Sequence, residues 1–123
     1  ADELIVAVTM PRGRDGWSQT YRKVGTRRAQ AISKVCFAAA MHVVGREVND
    51  IRIALGSVAP TVLRCTKTEE TLRGKTLDAA SIEDARARLG REIQPIDDVR
   101  SNAGYRRVVS CNLLQQFLSG VRS

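Results

Sequence analysis

Apolar residues alternate from Glu3 to Met10 through Leu4, Val6 and Val8, and Pro11, Gly13 and Gly16 follow. Period two puts every second side chain on one face, so this stretch predicts a β-strand and then a loop. Trp17 to Val24 predicts a second strand. Ala31 to Val44 carries two signals: its alanines favour helix, yet Val35, Phe37, Ala39, Met41 and Val43 keep strict period two, which predicts a strand. Gly45 and Arg46 make a turn, and Val48 to Val58 alternates through Ile51, Ile53 and Leu55, completing a hairpin.

Beyond Pro60 the period becomes 3.6. Thr66 and Glu69 have the spacing of a capping box, and Gly74 is a stop for a first helix carrying Leu72. Ser81 and Asp84 repeat that start more weakly. Ile82, Ala85, Leu89 and Ile93 then form one stripe that Pro95 ends, despite Gly90. A third helix is predicted over Asn102 to Leu118, with Tyr105, Val108, Val109, Leu113, Leu114 and Phe117 on its buried side. Strands followed by helices predict an α+β fold: an antiparallel sheet of three to four strands with three helices packed on one face.

The 123 residues fit one domain, long enough to bury roughly two-thirds of its unfolded surface without staples. No apolar run approaches the ~20 residues of a membrane span. Residues 1–10 have neither the basic start nor the long apolar stretch of a signal peptide. Cys36, Cys65 and Cys111 match neither a disulfide framework nor a CxxC metal pair, and read as reduced thiols of a cytoplasmic protein. With His42 as the one histidine, no zinc or iron ligand set is in view. The formal charge of +7 suggests an anionic partner, with Arg22, Lys23, Arg27 and Arg28 in one cluster and Arg100, Arg106 and Arg107 in another. Aromatics make up only 4%, few for the stacking platforms of a single-strand binder.

Catalytic chemistry is sparse. The glycines form neither GxGxxG nor a Walker pattern, so no phosphate cradle is encoded. Asp97 and Asp98 could share a proton as a dyad, but they suit the loop before the third helix, where negative charge favours its N-terminus and can pair with Arg100. Cys36 lacks a local base, because His42 lies six residues along the same predicted strand.

IRIALGSVAPT at 51–61 resembles the C-terminal domain of the FAD-carrying subunit of carbon monoxide dehydrogenase, xanthine dehydrogenase and related molybdenum hydroxylases. Arg64, LRGK at 72–75, IQPIDDVRS at 93–101 and YRR at 105–107 follow in that family's order; GWS at 16–18, YRK at 21–23 and RRAQAIS at 27–33 precede it. Gly104 departs from the family, standing where an acidic residue is usual.

The resemblance implies an FAD subunit whose flavin-binding lobes lie N-terminal to this domain and are absent from the chain. It implies partners as well: a molybdopterin-binding large subunit and a [2Fe-2S] small subunit, from which electrons reach FAD and then an acceptor. The isolated domain is then expected to bind FAD poorly and to be inactive. It further implies that Tyr21 and Lys23, which share a strand face, lie by the isoalloxazine ring. Tyr21 would cover or edge the ring, and Lys23 would hold positive charge beside a ring that gains negative charge on reduction. The structural alternative puts Tyr21 in the core and leaves Lys23 a solvated cation. Two other readings of the whole chain are a structural interaction domain without flavin contact and a free-standing basic module that binds nucleic acid or another polyanion.

Overall fold

A computed structural model describes residues 2–9, 15–27 and 31–121. Met10, Pro11, Gly13 and Arg28 lie outside the described residues. The elements are β1 (Trp17–Val24), β2 (Val35–Val44), β3 (Glu47–Gly56), β4 (Leu63–Arg64), α1 (Thr66–Leu72), α2 (Ala79–Glu92) and α3 (Ala103–Gly120). The strands form one antiparallel sheet in the order β1-β2-β3-β4. This is the expected α+β class, with a different fourth strand.

Residues 3–9 do not form the strand expected for Glu3 to Met10. Leu4, Ile5, Val6 and Val8 are between 81 and 90% exposed. Strand pattern alone is insufficient, because an extended segment also needs a partner for its backbone N–H and C=O groups. The fourth strand is instead the two-residue Leu63–Arg64, paired to Ala54 and Leu55.

The ambiguous alanine-rich segment is β2, beginning at Val35 rather than Ala31. Val35, Phe37, Ala39 and Met41 are buried together with Val48, Ile51, Ile53 and Leu55 of β3. Burying this apolar set outweighs the small helix preference of alanine. Val44 and Glu47 pair across Gly45 and Arg46, and Gly45 at φ 62° fits a type II′ hairpin turn. β3 stops at Gly56 rather than Val58 because Ser57, at φ 65°, turns the chain out of the sheet.

Leu72, Ala85, Leu89, Ile93, Leu114, Phe117 and Leu118 close the core from the helices, with Phe37 edge-on to Phe117 at 6.2 Å. The caps differ from expectation. Thr66 and Glu69 form no capping box: Cys65 is the N-cap of α1 without a side-chain bond, and Glu92 of α2 instead accepts from Lys67 N and Thr68 N at 3.0 and 2.8 Å. The reciprocal box of α2 is Asp78 with Ser81, three residues earlier than Ser81 with Asp84. Asn102 caps α3 by accepting from Tyr105 N.

The buried side of α3 is also turned from the predicted one. Arg106 is buried while Tyr105 and Val108 are exposed, because Arg106 donates to Ser57 O at 2.8 Å and pairs with Asp98 at 2.6 Å. Asp97 accepts from Ala103 N at 2.5 Å, and Asp98 from Arg100 N and Ser101 N at 2.8 and 3.0 Å. The acidic pair thus holds the entry to α3, the loop role expected of it.

Candidate functional site

The helices cover one face of the sheet, and the other is open. Cross-strand partners point to the same side, so the register writes out the open face in rows. Trp17, His42 and Asp50 form one row, and Gln19, Ala40 and Arg52 the next. Tyr21, Ala38, Ala54 and Arg64 form the third, and Lys23, Cys36 and Gly56 the last. Positions that alternate with the large core residues of β2 and β3 therefore carry small side chains across the middle of the face.

The result is a groove of about 440 Å³ with Ala38, Ala40 and Ala54 in its floor. Gln19 and Tyr21 wall it along β1, and Arg52 and Arg64 wall it on the far side. Tyr21 is 66% exposed, so it is not a core residue. Its hydroxyl shares a hydrogen bond with Cys36 Sγ at 3.7 Å, which is the main reason its phenol is held above the ordinary value, with charge on Cys36 adding to the effect. Lys23 is exposed on the same face one row further along, beyond the groove lining. At the opposite end His42 stacks on Trp17 at 5.7 Å and its Nδ1 bonds Asn49 at 3.2 Å, a structural setting.

A chain of ions fixes the arginine wall. Glu69, 1% exposed, accepts from Ile53 N at 2.7 Å and takes Arg64 as a two-pronged partner through Nε and, at 3.0 Å, Nη2. Arg73 bridges Glu69 at 3.1 Å to Asp50 at 3.2 Å, and Arg52 reaches Asp50 at 3.0 Å. Partial burial pushes the Asp50 carboxyl up, but the bonds from Arg52 and Arg73 hold it below the ordinary value. Three guanidiniums against two carboxylates leave this wall positive and its side chains held in place.

Sequence reasoning placed Tyr21 and Lys23 on one face but assigned no role to Arg52, Arg64 or the alanines. The signal was present in Ala38 and Ala40, which alternate with Phe37, Ala39 and Met41 and so had to line the opposite face. A second hollow, of about 310 Å³, lies on the helix side between β1 and α3, lined by Ser18, Thr20 and Arg22 of β1 and by apolar Phe37, Leu113, Phe117 and Val121. Among the described residues no cluster of three His, Cys, Asp or Glu could hold a metal. Among them, too, no helix is long and apolar enough to cross a membrane. Part of the basic charge is paired internally: Arg52, Arg64, Arg73, Arg86, Arg100 and Arg106 each face a carboxylate.

Residues 19–121 match the family described as CO dehydrogenase flavoprotein C-terminal domain. The chain is 32% identical over 107 residues to the glyceraldehyde dehydrogenase medium chain of Sulfolobus acidocaldarius, covering 87% of this chain and 37% of that relative. It is 27% identical over 118 residues to the carbon monoxide dehydrogenase medium chain of Hydrogenophaga pseudoflava, covering 96% of this chain and 41% of the relative. A carbon monoxide dehydrogenase structure from H. pseudoflava superposes with a TM-score of 0.80 at 28% identity, over 89% of this chain and 38% of that one. Quinoline 2-oxidoreductase from Pseudomonas putida shares the fold, at a TM-score of 0.72 and 20% identity over 85% of this chain and 35% of its own. The chain thus spans about two-fifths of the length of the curated relatives it matches.

Proposed function

We propose that this chain, which belongs to the family of CO dehydrogenase flavoprotein C-terminal domains, closes one side of the FAD site in the flavin subunit of a xanthine dehydrogenase-like molybdenum hydroxylase. The observation that carries the reading is the open sheet face, where a flat alanine floor lies between Tyr21 and the Arg52–Arg64 wall. Small side chains let a planar ring approach the backbone closely, and an exposed phenol offers an aromatic edge to it. When bound, FAD supplies the electron-carrying chemistry between the [2Fe-2S] clusters and the final acceptor.

The protein's part is positional and electrostatic. Tyr21 shields the ring from water, and its bond to Cys36 limits the rotation of the phenol. Lys23, with the net charge of the arginine wall, sets a positive field that favours the more negative state of whatever lies against the face. No proton transfer is assigned to this chain. The pyrophosphate is left to flavin-binding lobes N-terminal to the domain, in keeping with the absent glycine motifs. The molybdopterin-binding large subunit and the [2Fe-2S] small subunit are the further partners of this reading. The three cysteines are free, in keeping with a reducing compartment such as the cytoplasm.

The test is a redox titration of the flavin subunit containing this domain, at equal FAD occupancy. Lys23→Ala should lower the flavin midpoint potential by about 30 mV, which is ~1.4 kcal/mol over two electrons and the scale of one charge-assisted contact. Tyr21→Ala should weaken FAD retention with little loss of fold stability, because Tyr21 lies outside the core. Unchanged potential and unchanged FAD affinity in both variants would show that neither residue serves the flavin.

A further inference from the structure

We propose that the outer edge of β1 is a docking site for an extended segment of an acidic partner chain, which adds to the sheet as a strand and sets alternate apolar side chains into the hollow beside α3. The inference goes beyond the flavin reading, because it concerns the helix side of the sheet. β1 is eight residues long and pairs only with β2 among the described residues, so the N–H and C=O groups along its other side take part in no ladder. Leu4, Ile5, Val6 and Val8 of the chain's own first segment are exposed and join no strand, so they leave this edge open.

The surface beneath the edge is apolar. Ser18, Thr20 and Arg22 turn to the helix side, since their partners across the ladder are the buried Met41, Ala39 and Phe37. None of the three covers apolar surface as a leucine or valine would, and the hollow of about 310 Å³ is left beside them, over Phe37, Leu113, Phe117 and Val121. An incoming strand puts every second side chain on that face. It would bury apolar residues there while its backbone completes the ladder, the two contributions that strand addition combines. Val121 also borders a smaller hollow of about 60 Å³ with Val43, Leu77 and Arg46, so the apolar strip runs on beyond the Trp17 end of β1.

Charge selects the partner. Arg22 stands at one end of the strip and Arg46 at the other. Both are exposed, and neither pairs with a carboxylate among the described residues, unlike the six arginines held in ion pairs. β1 itself contains no acidic residue, and its charges, Arg22 and Lys23, are of one sign. Charges of one sign on an edge exclude like-charged strands and admit opposite ones. A second copy would bring the same basic edge and a formal charge of +7 against its own, which disfavours it. From Phe37 to Val43 the strip runs ~20 Å at the usual strand rise, the span of about seven residues. The segment that fits is acidic at both ends of one face, with apolar residues between them on that face.

The test titrates the 123-residue chain with a blocked peptide, Glu-Thr-Val-Thr-Leu-Thr-Glu, and follows hydrogen exchange at the outward-facing amides of residues 17–24. The expected result is fast exchange in the chain alone and exchange slowed about tenfold or more at saturation. A peptide with lysine in place of both glutamates should bind about tenfold more weakly, and one with serine in place of valine and leucine should lose binding. Arg22→Glu, a change at an exposed position, should leave the melting temperature unchanged and narrow or reverse the preference for the acidic peptide. No protection at peptide concentrations up to ~5 mM would overturn the proposal, as would equal binding of the acidic and basic peptides. Slow exchange along the whole of β1 without peptide would overturn it too. The edge would then belong to a second copy if the protection depends on concentration, and to residues 4–8 if Val6→Pro, which removes a ladder donor, abolishes it. All of these outcomes leave the flavin reading standing, since none involves the alanine floor of the opposite face.

Discussion

Glu69→Gln isolates the contribution of the ion chain behind the arginine wall. Glutamine keeps the shape of Glu69 and an oxygen for Ile53 N, but it removes the charge and turns an NH2 group toward guanidinium donors at 3.0 and 3.1 Å. Charge-assisted hydrogen bonds contribute roughly 1.5–3 kcal/mol each. Stranding a fully buried ion would cost about 3–5 kcal/mol. The arginines left behind are 44 and 39% exposed, and Arg73 retains Asp50, so water recovers part of the loss. The expected destabilisation is about 2–3 kcal/mol. With an unfolding entropy of ~2.1 cal/mol/K per residue, that lowers Tm by about 10 °C. Thermal and urea unfolding of the full chain followed by circular dichroism would measure it, with Arg64→Met and Arg73→Met expected to cost less because each leaves Glu69 one guanidinium partner besides Ile53 N. A loss under about 0.5 kcal/mol would falsify the claim that this knot contributes net stability, and Arg64 would then be a passive wall.

Asp98 gives an acid-side prediction. Its carboxyl is held below the ordinary value by the bond from Arg100 N first and by Arg106 second. A depressed folded-state pKa means the unfolded chain takes up the proton more readily, so the contribution is present above ~pH 4 and is lost as pH falls through the folded value. Asp98→Asn should therefore be less stable than wild type at pH 7, and the gap should close toward pH 2 in denaturation curves; a gap that does not vary with pH would contradict the assignment. Burial, reinforced by the charges of Glu92 and Glu69, pushes the Cys65 thiol up to about 12. Alkylation at pH 8 read by mass spectrometry should modify the partly exposed Cys36 and spare Cys65 until the chain unfolds; labelling of Cys65 in the native chain at a comparable rate would refute this.

The elements legible in the sequence were those whose pattern is read out against a single core. The period-two run of β2 and β3 and the stripe of α2 are examples, and Phe37, Ile53 and Leu89 are buried as their spacing implied. The misses share a cause, which is a partner distant in sequence. Glu69 matched a local capping box, but its carboxylate is taken by Ile53 N, Arg64 and Arg73. The free N–H groups of α1 are met from Glu92, more than twenty residues away. Arg106 sits where an apolar residue belongs, because Asp98 balances its charge and Ser57 O accepts a hydrogen bond from it. Tyr21 and Lys23 were placed by resemblance. The groove beside them emerged only when the register aligned Ala38 with Ala54 and Arg64.

The two faces of the sheet divide stability from recognition. On the helix side, β2 and β3 hold Phe37, Met41, Ile51, Ile53 and Leu55 at no measurable exposure, so substitutions there carry core penalties of several kcal/mol. On the open side the same strands carry Ala38, Ala40, Ala54 and Gly56, which contribute little to folding and leave room for another surface. Arg64 ties the two together: its guanidinium walls the groove, while its hydrogen bonds run to a carboxylate buried under α1. A change in the helical layer that moves Glu69 must therefore move a wall of the groove, whereas a change in the alanine floor need not reach the core. The fold can consequently hold the open face in a fixed shape without any occupant, and this lets a partner surface bind without the cost of ordering this one.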